Sequence, residues 1–139
     1  MIRELEASGR RDPNVLAILT VETFYRPRGL RLLEYLGWLA LTLLRSDRAR
    51  KISVGPGQLQ VVHWQDLGLI DSDGFSIERC ARVRDVEANY EACRRYLSRH
   101  DLLAERDPKV LTCAYTGSDR AGYSSMLAEA RGVLSAGAL

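Results

Sequence analysis

Apolar residues recur along this chain mostly at helical intervals, interrupted once by a short stretch that alternates like a strand. Val15, Leu16, Ile18 and Leu19, followed by Glu22, are separated by the three- and four-residue steps that share one helix face. Asp12-Pro13 supplies a cap and a first-turn proline, whose missing N–H costs nothing there. Pro27 ends this helix near Tyr25. The next segment, from about Leu30 to Arg45, is apolar nearly all round, which predicts a helix at the centre of the fold. Its most hydrophobic part, Tyr35 to Leu44, is too short for a membrane span of about twenty residues and reads as a buried helix.

Ser46 to Lys51 is a polar, basic connector. Then Ile52 and Val54, and later Leu59 and Val61, alternate with polar residues around Gly55-Pro56-Gly57, the pattern of a short hairpin. Val61 to Leu69 begins another helix, and Asp71 to Gly74 is a turn. Helical periodicity returns over Ser76 to Val83 and Asp85 to Arg99, the latter with Val86, Tyr90, Cys93 and Leu97 as its stripe. Asp107-Pro108 opens a helix through Ala114, which Gly117 stops. Ser118 or Asp119 caps a last helix to about Val133, with Tyr123 and Leu127 on one face, and the tail Ser135 to Leu139 frays. The expectation is one domain over residues 1–139, mainly α with a small β-hairpin.

The bulk numbers alter this picture little. A chain of 139 residues holds a single real core, and 46% apolar with 27% charged residues is ordinary for a soluble globular protein. A net charge of +2 does not by itself point to nucleic acid. Arginine carries most of the positive charge, which suits either a solvated surface or contact with a polyanion such as a cell-wall polymer. Cys80, Cys93 and Cys113 form no CxxC pair, and His63 and His100 lack ligand spacing to them, so neither metal nor other cofactor is expected. Cys93 and Cys113 read as buried free thiols on apolar stripes, with a disulfide left open. The start, MIRELEASGRRDP, has no apolar core of a Sec signal peptide, and no transmembrane segment is evident.

Glu22 is the anomaly. It stands on the inward stripe set by Val15, Ile18 and Leu19. Burial against these residues and the pair Phe24 and Tyr25 would raise its pKa and keep a proton on it, as a general acid requires. An outward turn to Arg26 or Arg28 is the structural alternative. Across the hairpin, the glycines allow a backbone to approach a ligand closely, and Pro56 stiffens the turn. Gln58 and Gln60 fall on one side of a strand, opposite Leu59 and Val61, and offer neutral donors and acceptors suited to sugar hydroxyls and N-acetyl groups. No Gly-Lys-Ser/Thr ending supports a phosphate loop. Tyr115, at a helix end, can place its hydroxyl in a cleft while its ring packs.

Read in order, these segments resemble the lysozyme-like soluble lytic transglycosylase family. ETFYRP (Glu22 to Pro27) is similar to that family's acid-bearing Glu-Ser-x-Phe-x-Pro segment, in shifted form. SVGPGQLQV (Ser53 to Val61) is similar to its sugar-lining ribbon. ANYEACRRYL (Ala88 to Leu97) is similar to its Asn-containing helix, and AYTGSDRAGY (Ala114 to Tyr123) to its Ala-Tyr-Asn-x-Gly segment. The resemblance implies a lysozyme-like α+β fold and cleavage of the MurNAc–GlcNAc β-1,4 bond of peptidoglycan. Glu22 would protonate the leaving oxygen and then act as base on the C6 hydroxyl, giving a 1,6-anhydro product. Thr23, Ser53, Gly57, Gln58, Gln60, Tyr115 and Tyr123 would bind substrate. The implied setting is the periplasm, the cell envelope or the exterior, reached through a secretion system or phage lysis machinery.

The chain departs from that pattern at Thr23, where the family has serine, at Gln58 and at Thr116. Residues 28–52 also make a longer connection between Pro27 and Ser53 than the family uses. Two other functions fit the same residues. A lysozyme-type hydrolase needs a second carboxylate, for which Asp66, Asp71 and Asp73 are candidates. A non-catalytic wall-binding module would keep the cleft without turnover.

Overall fold

The computed structural model describes residues 5, 7, 9, 12–25, 27–71, 75–118 and 122–136. Helix α1 (Pro13–Tyr25) starts where Asp12 Oδ1 accepts from the backbone N–H of Asn14 and Val15, at 3.1 and 3.3 Å. Helix α2 (Arg28–Leu43) follows directly after Pro27, and the polar, basic connector expected after it forms a 3-10 turn (Asp47–Lys51) capped by Ser46. Strands β1 (Ser53–Val54) and β2 (Leu59–Gln60) pair antiparallel, Ser53 opposite Gln60 and Val54 opposite Leu59. Helix α3 (Val61–Asp66) leaves β2 without a break. Helices α4 (Ile77–Arg84) and α5 (Val86–Arg99) are capped by the side chains of Ser76 and Asp85. Helix α6 (Pro108–Thr116) is capped by Asp107 and ends at Gly117, whose φ of 74° is the left-handed conformation that glycine adopts freely. Helix α7 (Tyr123–Ala136) is the last described element; it starts after Gly122, so Ser118 does not cap it, and it ends three residues beyond Val133. Mainly helical with one two-stranded hairpin, the architecture is that expected at the coarse level. The turn expected at 71–74, the Asp119 cap and the end of the tail lie wholly or partly outside the described residues, although Ser135 and Ala136 are helical rather than frayed.

Two apolar clusters share α5 as their divider. One gathers Val15 to Leu19 of α1 with Tyr90, Cys93 and Leu97 of α5, Leu111 of α6, and Tyr123 and Leu127 of α7. The other gathers Trp38 of α2 with the hairpin residues Val54 and Leu59, Val61 and Trp64 of α3, Val83 of α4 and Ala92 of α5. Tyr96 and Tyr115 pack against both clusters and mark the seam between them.

Helix α2 does not lie at the centre of the fold. It buries Trp38 and Thr42 and half-buries Tyr35 and Leu39, while Leu30, Leu32, Leu33, Leu36 and Leu43 face outward. Its inner face is occupied by rings: Tyr35 and Trp38 lie 5.5 Å apart, and the guanidinium groups of Arg84 and Arg79 sit over them at 5.6 and 5.4 Å. A helix apolar on all sides can be buried only if elements exist to cover every side. Here the 3-10 turn, β1 and α4 cover one side. Phe24, expected beside Glu22, is 82% exposed. Cys113, expected to be buried, is also exposed, because its position on α6 faces away from Leu111 and Thr112.

Candidate functional site

A groove of about 250 Å³ opens along the seam. Glu22 comes to it from the last turn of α1, and Ser53, Gln58, Leu59 and Gln60 come from the hairpin. His63 is contributed by α3, Tyr96 by α5, and Ala114 to Gly117 by the end of α6. Glu22 is 6% exposed, as its place on the Val15–Ile18–Leu19 stripe demands. Tyr123 Oη donates a hydrogen bond to Glu22 Oε1 at 2.9 Å, fixing one carboxyl oxygen from the side of α7.

The hairpin's glycines serve an internal purpose. Gly55 has φ of 77°, and a Cβ there would collide with the carbonyl of Val83 and the side chain of Asn89. A Cβ on Gly57 would lie 2.5 Å from Cys93 Sγ. The close backbone approach that these glycines permit is to Val83 of α4 and to Asn89 and Cys93 of α5. Asn89, fully buried, holds the contact: its Oδ1 accepts from Gly57 N at 3.1 Å, and its Nδ2 donates to Val83 O and Asp85 O at 2.9 and 2.7 Å.

Tyr115 grips the other side of the same residue. Its hydroxyl donates to Gly57 O and lies 3.1 Å from Cys93 Sγ. The phenol has one proton to give, so the thiol is the donor of that second contact. Burial pushes Cys93 up to about 12, opposed by the Tyr115 bond and assisted by the nearby Glu22 charge. Burial likewise holds Tyr115 well above the ordinary tyrosine value. The hydroxyl thus staples the hairpin to α6 instead of projecting into the groove, and the ring supplies part of the groove wall.

Gln58 and Gln60 both line the groove but do not share a strand face. Gln58 sits in the turn with φ of 52°, buried, its Nε2 donating to Gly55 O at 2.9 Å. Only Gln60 belongs to β2, and it is exposed. Thr23 is half-buried beside Glu22 and is not part of the lining. Of the eight residues singled out from sequence, Glu22, Ser53, Gln58, Gln60 and Tyr115 line the groove, and Gly57 and Tyr123 position those that do.

Sequence reasoning missed His63 and Tyr96. Their rings lie 4.9 Å apart, the His100 ring lies tilted against Tyr96 at 4.7 Å, and Tyr115 meets Tyr96 edge-on at 5.7 Å. Tyr96 Oη donates to Ala114 O at 3.1 Å, so this aromatic row also fixes the end of α6. The four-residue step from Tyr96 to His100 was the available signal. Burial lowers the His63 pKa, with Asp66 opposing and His100 and Arg99 assisting, so the imidazole entering the groove at neutral pH is uncharged. Among the described residues no group of His, Cys, Asp and Glu could hold a metal ion.

Glu22 is the only carboxylate lining the groove among the described residues. Asp66 is exposed on α3, and Asp71 borders a different cavity beside α4; Asp73 lies outside the described residues. Comparison with protein-family models, with curated proteins and with solved structures returned no match.

Proposed function

We propose that the groove holds a peptidoglycan glycan strand and that Glu22 cleaves it as a lytic transglycosylase, as the family resemblance implies. The observation that carries this reading is a single buried carboxyl, oriented by Tyr123, in a groove whose other polar groups are neutral. Ser53, Gln60 and Thr116 supply hydroxyl and amide groups for sugar hydroxyls and N-acetyl groups, and Tyr96 and Tyr115 supply ring surface for sugar C–H faces.

One carboxyl suffices for this chemistry. Glu22 gives its proton to the glycosidic oxygen as the C1–O bond breaks. The resulting carboxylate then removes the proton of the MurNAc C6 hydroxyl, whose oxygen bonds to C1 and closes the 1,6-anhydro ring. The proton returns to Glu22, and no water is consumed. A hydrolase in contrast needs a second acid across the scissile bond, and neither Asp66 nor Asp71 borders the groove.

Digestion of purified sacculi followed by mass spectrometry tests the proposal. Muropeptides with 1,6-anhydro ends are expected, and Glu22→Gln lowers their yield by about 10²–10⁴-fold, the usual contribution of a positioned general acid. Reducing ends in their place would establish a hydrolase. Glycan binding without any product, in the unmutated protein, would leave a wall-binding module.

A further inference from the structure

Six leucines of the α2 region point away from the protein. On the helical wheel, Leu30, Leu32, Leu33, Leu36, Leu43 and Leu44 fall in one half, each 46% exposed or more. Gly29, Gly37 and Ala40 fill the spaces between them, and no polar side chain falls in that half. A continuous apolar face of this kind marks an interaction site. No described helix is long and apolar enough to cross a membrane, so the face can meet a bilayer only by lying along it.

Charge identifies what covers this face. Residues 28–51 hold six basic side chains against two acidic ones, whereas the rest of the chain holds fourteen basic against sixteen acidic. The basic residues gather where the leucines end: Arg45, Arg48, Arg50 and Lys51 are all exposed. The hydrogen bond of Arg50 runs to the neutral Gln65, which leaves its charge in place. A second copy of the chain is a poor match. Packed parallel, two such faces would bring their basic turns together, and packed antiparallel they would set each turn against the other helix's first turns, where Arg31 and Glu34 offset one another. Neither arrangement supplies the surplus of acidic groups that Arg45, Arg48, Arg50 and Lys51 favour.

We infer that α2 and the following 3-10 turn form an interfacial anchor, which lays its leucines into the surface of an anionic lipid bilayer while Arg45, Arg48, Arg50 and Lys51 contact the headgroup phosphates. An amphipathic helix with basic residues beside its apolar face binds membranes in this way, through apolar burial together with attraction to anionic lipid. The anchor is independent of the Glu22 chemistry, and its test needs no glycan.

The experiment is co-sedimentation of the whole protein with phosphatidylcholine vesicles, with and without phosphatidylglycerol. Binding to the anionic vesicles is expected, weakened by added salt. Arg48→Gln with Lys51→Gln weakens it by roughly five-fold per charge removed. Leu33→Glu with Leu36→Glu abolishes it, and both positions are exposed, so circular dichroism should remain unchanged. Hydrogen exchange of the unmutated protein supplies a second readout, with vesicle-induced protection concentrated in residues 28–51. Sedimentation with neither vesicle overturns the proposal, as does binding that the leucine substitutions leave intact or protection located elsewhere. A dimer in solution that Leu36→Glu dissociates, without vesicle binding, replaces it with self-association.

Discussion

Helices α1 and α2 are neighbours in the chain, both rich in leucine and other apolar residues, yet they meet opposite surroundings. Helix α1 is enclosed by α5 and α7, and Val15, Ala17, Ile18 and Leu19 have no exposed surface at all. Its first turn is tied down as well: Asn14 Nδ2 lies within 3.1 Å of the carbonyls of Leu102, Leu103 and Glu105. Helix α2 has a covered side of rings and an open side of leucines. Hydrophobicity along the helix is therefore not what separates core from surface here. The number of elements that later parts of the chain bring back to each helix separates them.

That contrast can be broken by substitution. Leu19→Ala removes a side chain from the centre of the α1 cluster and also loosens the seat of Gly57, so a loss of about 2–5 kcal/mol is expected in denaturant unfolding. A loss under half that would mean that α1 is less enclosed than described. Asn14→Ala leaves three carbonyls without their shared donor and should cost about 1–3 kcal/mol.

The thiols beneath the two helices sharpen the comparison. Cys93 lies in the α1 cluster and Cys80 beside Tyr35 of α2. Native alkylation at pH 8, followed by peptide mass spectrometry, should label exposed Cys113 first, half-buried Cys80 next, and Cys93 only on unfolding. Because the folded Cys93 thiol is raised from 9.0 to about 12, the unfolded chain loses its proton first. The corresponding stability is complete below about pH 9 and declines as pH rises toward 12. Rapid Cys93 labelling in the folded protein would contradict this. The smallest effect belongs to Leu36→Ala on the open side of α2, expected within about 0.5 kcal/mol of the parent protein.

What could be read from the sequence was what local chemistry decides. Asp12-Pro13, Asp107-Pro108 and Gly117 set helix boundaries through groups within a few residues of them, and the hairpin announced itself by its two-residue period. Glu22 was legible because one stripe of α1 defines inside and outside. The purpose of Gly55 and Gly57 was not, since Asn89 and Cys93 stand more than thirty residues away in the chain. The same holds for the Tyr115 staple, which spans 58 residues, and for the Tyr123 donor, 101 residues from its carboxyl. The exposure of α2 was hidden for a related reason: no residue within a helix encodes whether a distant element will cover it.

Gly57 is held through both of its polar backbone groups, its N–H by Asn89 and its carbonyl by Tyr115. Two helices from different parts of the chain thereby clamp the two successive amide planes that meet at Gly57, and the jaw beside Glu22 has a gape fixed before anything enters it. A guest that matches this opening forfeits little of its binding energy to reshaping the host. One that is too wide must break a buried phenol–carbonyl bond to gain entry, which makes the clamp a gauge for the shape of what the groove admits.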